Sequence, residues 1–98
     1  MTMNREEVLQ ILRTHQQELQ NLGVRSLELF GSVARNEARP DSDVDCLAEF
    51  SRPFGLIQFS KVQRYLEEIL DCSVDLGTKN MLKENIRDCI LAEVIYVF

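Results

Sequence analysis

Two aspartates, Asp43 and Asp45, sit at the start of the run "DVDCLAEF", which otherwise reads as a buried strand. Charges cost several kcal/mol when removed from water unless something pairs with them, on the order of the usual desolvation penalties. In a strand, alternate residues share a face, so both carboxylates project together while Val44 and Cys46 face the other way. Carboxylates held that close repel, and each raises the other's pKa. A divalent cation relieves the repulsion. Oxygen-only donors suit Mg²⁺ or Mn²⁺, and magnesium keeps part of its shell for water and phosphate oxygens.

Gly31-Ser32 supplies a complementary half. The pair lies where the strand "VRSLELF" gives way to a short helix "SVARNEA". Backbone N–H groups at such a start receive anionic oxygens, glycine lets a phosphate come close, and the Ser32 hydroxyl adds a donor. A third carboxylate, Asp75, interrupts the apolar "SVDLG". If that strand neighbours the second, Asp75 joins the same cluster, to hold a metal that activates a nucleophile or to take the nucleophile's proton. Each feature is ordinary alone: Gly-Ser is a common turn, DxD is common on solvated loops, and an aspartate caps many turns. Their order, with both acidic positions inside apolar runs, points to a nucleoside-triphosphate site built for in-line attack on phosphorus.

The elements that must position these residues follow from periodicity. Asn4 to Asn21 reads as an amphipathic helix carrying Val8, Ile11, Leu12, Leu19 and Leu22, opened by an Asn4/Glu7 capping box and stopped at Gly23. His15 falls at the edge of its apolar stripe. Val24–Phe30 alternates as a strand, "RPDS" is a loop, Asp43–Phe50 a second strand, and "SRPFG" a turn. Leu56–Leu70 reads as a helix with Phe59, Val62, Leu66, Ile69 and Leu70 on one face, Ser73–Gly77 as a third strand, and Met81 to Ala92 as a final helix. The ending "EVIYVF" is either a strand closing a sheet edge or an apolar tail for docking. Strands alternating with helices imply one sheet with helices packed on it, an α/β or α+β fold.

The 98 residues suffice for one domain, 1–98, with one modest core. Hydrophobic residues are 45% and charged residues 28%, an ordinary globular balance. The net charge of −5 argues against a sequence-independent grip on nucleic acid, and it suits a basic protein partner or a cation. Cys46, Cys72 and Cys89 are odd in number, lack metal spacing and lie in or beside apolar runs, so buried free thiols in the cytoplasm are expected. No stretch reads as a signal peptide or a membrane span.

"GSVARNEARPDSDVD" resembles the GSxxxG…SDxD signature of the nucleotidyltransferase superfamily related to DNA polymerase β, most of all the minimal nucleotidyltransferase (MNT) proteins. "VDLGTKNMLKENIRDCILAEVIYVF" is similar to the MNT C-terminal segment, so the resemblance covers nearly the whole chain. It implies the polymerase β-like fold, a small mixed sheet with helices on it. Gly31 and Ser32 would hold the triphosphate of ATP, and Asp43, Asp45 and Asp75 would ligate Mg²⁺ or Mn²⁺ as a catalytic triad. Ser42 matches the family's serine, and Arg35 and Arg39 would steer the nucleotide or a partner. Two positions depart from the pattern: Asn36 replaces the usual glycine, and Cys46 an aliphatic residue.

MNT proteins pair as antitoxins with HEPN-domain toxins, typically ribonucleases. The resemblance therefore implies transfer of AMP from ATP to a toxin hydroxyl, expected on tyrosine, with the partner supplying the acceptor. Two alternatives stay open: neutralisation by binding and occlusion alone, and nucleotidyl transfer to a small molecule. The second requires a substrate domain that a chain of this length lacks.

Overall fold

The structure is a computed structural model describing residues 4–35, 43–51, 53–81 and 84–98, with the side chains of 80 and 84–87 outside that description. Ser42, Asn36 and Arg39 lie outside the described residues. In chain order the elements are α1 (Arg5–Thr14), α2 (Gln16–Asn21), β1 (Val24–Phe30), α3 (Gly31–Ala34), β2 (Val44–Phe50), α4 (Leu56–Leu70), β3 (Val74–Gly77), α5 (Glu84–Glu93) and β4 (Ile95–Tyr96).

The strands form one sheet in the order β3-β2-β1-β4. β2 runs antiparallel to β1 and parallel to β3, and β4 closes the far edge antiparallel to β1. The sheet is therefore mixed, as the resemblance implies. Antiparallel pairing brings the end of β1 beside the start of β2, and parallel pairing brings the start of β3 there too. That end of the sheet is where Gly31, Asp43, Asp45 and Asp75 occur.

Period-two alternation decides the two faces. Leu27, Leu29, Val44, Cys46, Ala48, Val74 and Leu76 are buried on one side. They pack with Val8 and Leu12 of α1, Leu19 of α2, and Val62, Leu66 and Leu70 of α4 in a single cluster. Glu28, Asp45 and Asp75 are on the other side. There Lys79 Nζ pairs with Glu28 Oε1 at 3.1 Å, and Leu47, opposite Gly77 in the register, is buried.

The first helix differs from its expected course. It is interrupted at His15, whose N–H is shared between the Ile11 and Leu12 carbonyls at 3.2 Å each. His15 Nδ1 donates to the Ile11 carbonyl at 2.8 Å, and its ring meets Tyr65 edge-on. The ring satisfies itself locally at the break, as an edge-of-core histidine does. The expected start and stop hold: Asn4 accepts the Glu7 N–H at 2.9 Å, and Gly23 leaves the helix at φ +101°.

Other boundaries shift by a few residues. α3 is a single turn rather than the longer "SVARNEA" helix over its described part, Asp43 lies just ahead of β2, and α5 follows a 3-10 turn at Lys79–Met81. The end of the chain is a strand, not a free tail. Val97 and Phe98 are buried, and Leu27 exchanges backbone hydrogen bonds with both. Arg13 ties α1 to this segment by donating to the Val97 and Tyr96 carbonyls. All three cysteines are free, but only Cys46 is fully buried, Cys72 being partly covered and Cys89 exposed. Among the described residues, no helix is long and apolar enough to cross a membrane.

Candidate active site

The site begins with register. Asp45 and Asp75 are partners in the parallel β2–β3 pairing, so their side chains rise from adjacent strands on the same face, opposite the α1–α4 core layer. Asp43 stands two residues before Asp45, just ahead of β2, and its charge reaches Asp45. Val44 and Cys46 between and beyond them are buried in the opposite layer, as alternation requires. The sheet thus solves the burial problem by giving the apolar residues to the core and the aspartates to the opposite face at one end of the sheet.

The charges act on one another. Asp45 is pushed up from 3.8 to about 6, first by partial burial, then by the negative charges of Asp75 and Asp43, against the opposing pull of Arg35. All three carboxylates therefore belong to one electrostatic neighbourhood. They do not form a preformed metal cage: among the described residues no three acidic, imidazole or thiol groups are drawn together tightly enough for that. The donor set nonetheless fits a hard divalent cation, being all oxygen, with the Cys46 thiol on the other face.

Gly31 closes the site from the β1 side. Its φ is +75°, a conformation that L side chains rarely adopt. Phe30, the residue before it, pairs with Asp45 across β1 and β2. A Cβ at position 31 would fall 3.0 Å from Asp45 Cγ and 3.3 Å from Asp45 Cβ. Only glycine lets the turn lie directly against this carboxylate. Ser32 follows, half-buried, in the first turn of α3, where backbone N–H groups have no partner within the helix.

Arg35 ends α3 beside the site. Its guanidinium lowers the Asp45 pKa and also pairs with Glu93 Oε2 at 3.0 Å, which connects the turn to the end of α5. Arg5 donates to the Ala34 carbonyl at 3.2 Å and so binds the other side of the turn to α1. Of the residues singled out from the sequence, Gly31, Ser32, Arg35, Asp43, Asp45 and Asp75 are gathered at one end of the sheet. Ser42 lies outside the described residues.

Sequence reasoning missed two contributors on α4. Glu67 accepts the Val74 N–H at 3.3 Å, and Gln63 donates to the Val74 carbonyl at 3.1 Å. No local signal marks them, because polar residues one helical turn apart are common on any helix. Glu93 was also missed, for the same reason.

Carboxylates from two neighbouring strands, set beside a glycine turn at one end of a mixed sheet, characterise enzymes that move phosphorus-linked groups with a divalent cation. Residues 6–97 match the nucleotidyltransferase domain model, and the chain belongs to that family. It is 44% identical over 93 residues to the protein adenylyltransferase MntA of Thermococcus cleftensis, covering 94% of each chain. It is 37% identical over 93 residues to a Methanocaldococcus jannaschii protein named for the same activity, covering 93% of this chain and 95% of that one.

Among solved structures, one described as a minimal nucleotidyltransferase aligns with TM-score 0.74 and 32% identity over 95% of both chains. A chain from a toxin–antitoxin complex with AMP-PNP has TM-score 0.68 at 18% identity, covering 98% of this chain and 73% of that one. A chain from a complex of a tri-AMPylated Shewanella oneidensis HEPN toxin with its MNT antitoxin has TM-score 0.65 at 16% identity, covering 92% and 71%. At those identities the last two establish likeness of fold.

Proposed function

We propose that this chain is an antitoxin that works as a protein adenylyltransferase. It transfers AMP from ATP to a hydroxyl, on tyrosine, of a HEPN-domain toxin and thereby neutralises it. Residues 1–98 act in this as one minimal nucleotidyltransferase domain, in the cytoplasm. The observation that carries the reading is the register of Asp45 against Asp75 with Gly31 backed onto Asp45. The identity to a named protein adenylyltransferase supports AMP as the transferred group and a protein as the acceptor.

Each residue then has a task. The Gly31 turn admits the triphosphate because nothing projects from its α-carbon, and the Ser32 N–H and hydroxyl donate to phosphate oxygens. Ser42 would add a hydroxyl donor. Arg35 lends positive charge at the same side, held in direction by Glu93. Asp43 and Asp45 would hold Mg²⁺, with Asp75 completing the set. When bound, the cation supplies charge neutralisation for the triphosphate and for the departing pyrophosphate. The toxin's hydroxyl oxygen attacks the α-phosphorus, the bond from that phosphorus to the bridging oxygen of the β-phosphate breaks, and pyrophosphate leaves. The hydroxyl proton passes to Asp75, whose side chain is exposed beside the half-buried Asp45.

The test is to incubate the protein, a HEPN-domain toxin from the same source and Mg²⁺-ATP, then weigh the toxin intact. One or more AMP units are expected on the partner, lost in Asp43→Asn and on chelation of the metal. Neutralisation that persists in Asp43→Asn with no added mass would replace transfer by occlusion.

A further inference from the structure

β3 is an edge strand of four residues with a single neighbour, β2. In a parallel ladder the backbone groups of successive residues point alternately toward the neighbour and away from it. The Ser73 carbonyl accepts the Val44 N–H at 3.0 Å, so Ser73 faces β2 and Val74, one residue on, faces outward. Both outward groups of Val74 are nevertheless satisfied. Its N–H donates to Glu67 Oε2 at 3.3 Å, and its carbonyl accepts from Gln63 Nε2 at 3.1 Å. Gln63 and Glu67 lie four apart on α4, hence stacked on one face of that helix, and both are half-buried. Together they present one acceptor and one donor, as a further strand would.

The residue so held precedes Asp75. We infer that Gln63 and Glu67 are positioning residues that lock β3 in register and thereby aim Asp75 at Asp45. Three facts join in this. An edge strand this short has few ladder bonds of its own to resist sliding or fraying. The Asp45–Asp75 juxtaposition exists only in the observed register, since a one-residue slip would turn Asp75 into the core layer and Val74 or Leu76 outward. Mutual repulsion of the two carboxylates pushes the strands apart at that point, and the α4 clamp opposes it from outside the site. The inference rests on the catalytic use of Asp75 proposed above, although the clamp itself is a matter of geometry alone.

Isosteric changes separate positioning from packing. Gln63→Glu removes the donor and sets a carboxylate against the Val74 carbonyl. Glu67→Gln keeps a carbonyl acceptor for the Val74 N–H, whereas Glu67→Leu keeps only bulk. Amide hydrogen exchange, read without ATP, is expected to rise about tenfold or more on β3 in Gln63→Glu and Glu67→Leu. Exchange on β1 is expected to stay unchanged, and Glu67→Gln to behave as wild type. In AMP transfer, kcat is expected to fall roughly 10–100-fold in the same two variants, with KM for ATP within about twofold, as for a misplaced catalytic group. In an Asp75→Ala background neither change is expected to lower kcat further.

Unchanged β3 exchange would overturn the clamp. Raised exchange with unaltered kcat, or an additive loss in the Asp75→Ala background, would overturn its role in aiming Asp75. A wild-type chain that transfers no AMP would instead overturn the functional reading, while the exchange data would still judge the clamp.

Discussion

Asp45 faces Asp75 across the β2–β3 pair, has Asp43 two residues behind it and the Gly31 α-carbon against its carboxylate. A carboxylate so placed is more at ease protonated than ionised, which is why its pKa rises to about 6. The sign of the consequence is fixed by linkage. The folded protein holds this proton up to about pH 6, and the unfolded chain releases it near 3.8, so between those values the native state binds more protons. The contribution to stability is complete below 3.8 and lost as pH rises through about 6. Without metal, Asp45→Asn is therefore expected to raise the melting temperature at pH 7 by a few degrees and to flatten the fall in stability between pH 4 and pH 6, both read by thermal unfolding in chelator. The same variant is expected to lose AMP transfer, read by mass of the partner. A cation between the carboxylates reverses the wild-type penalty, since opposite charge favours the ionised form.

At the scale of elements, α4 joins the scaffold to the site. Its apolar face reaches the core through Val62, Leu66 and Leu70, and its polar side holds Val74. It ends at Asp71 with φ 52° and ψ 43°, a left-handed stop ordinarily given to glycine. Asp71→Gly is expected to stabilise the protein by about 0.5–1 kcal/mol, measured by urea unfolding, by relieving that conformation. The helix bounds Leu56–Leu70 were legible to the residue, because apolar spacing begins after Gly55 and ceases at Asp71. The break at His15 was not, because a histidine in an amphipathic stripe looks the same whether the helix passes through it or pauses. Asp43 and Asp45 could be put on one face from period two alone. Their meeting with Asp75 could not, because the parallel pairing of β2 and β3 crosses a long helix and no local pattern encodes it. The clamp by Gln63 and Glu67 was invisible for a related reason: it exists only once α4 is laid beside the edge of β3.

For the molecule as a whole, the two ends of the chain are tied into one sheet-and-helix body. Arg13 of α1 holds the carbonyls of Tyr96 and Val97, and Phe98 is buried with its carbonyl accepting the Leu27 N–H. Leu27 and Leu29 belong to β1, which leads into the Gly31 turn, so the C-terminal segment braces the strand that carries that turn. Phe98→Ala is expected to cost about 3 kcal/mol, seen as a lower urea midpoint with an unchanged slope, as for other large-to-small changes in a core. For a domain with a total of about 5–15 kcal/mol, that is enough to expose the site to local opening at 37 °C. Some apolar surface stays outside this body: Leu56 and Ile57, in the first turn of α4, are 81% and 76% exposed. They open the helix that follows the far end of β2, at the opposite end of that strand from Asp45.

The proposed convergence of Asp43, Asp45 and Asp75 on one ion is tested most directly by crystals grown with Mn²⁺ and a non-hydrolysable ATP analogue, read by anomalous scattering. Manganese is expected between β2 and β3, bridging aspartate oxygens and the triphosphate, with the phosphates against the Gly31-Ser32 turn. Manganese ligated elsewhere, or an Asp75 carboxylate turned away from metal bound at Asp43 and Asp45, would contradict it.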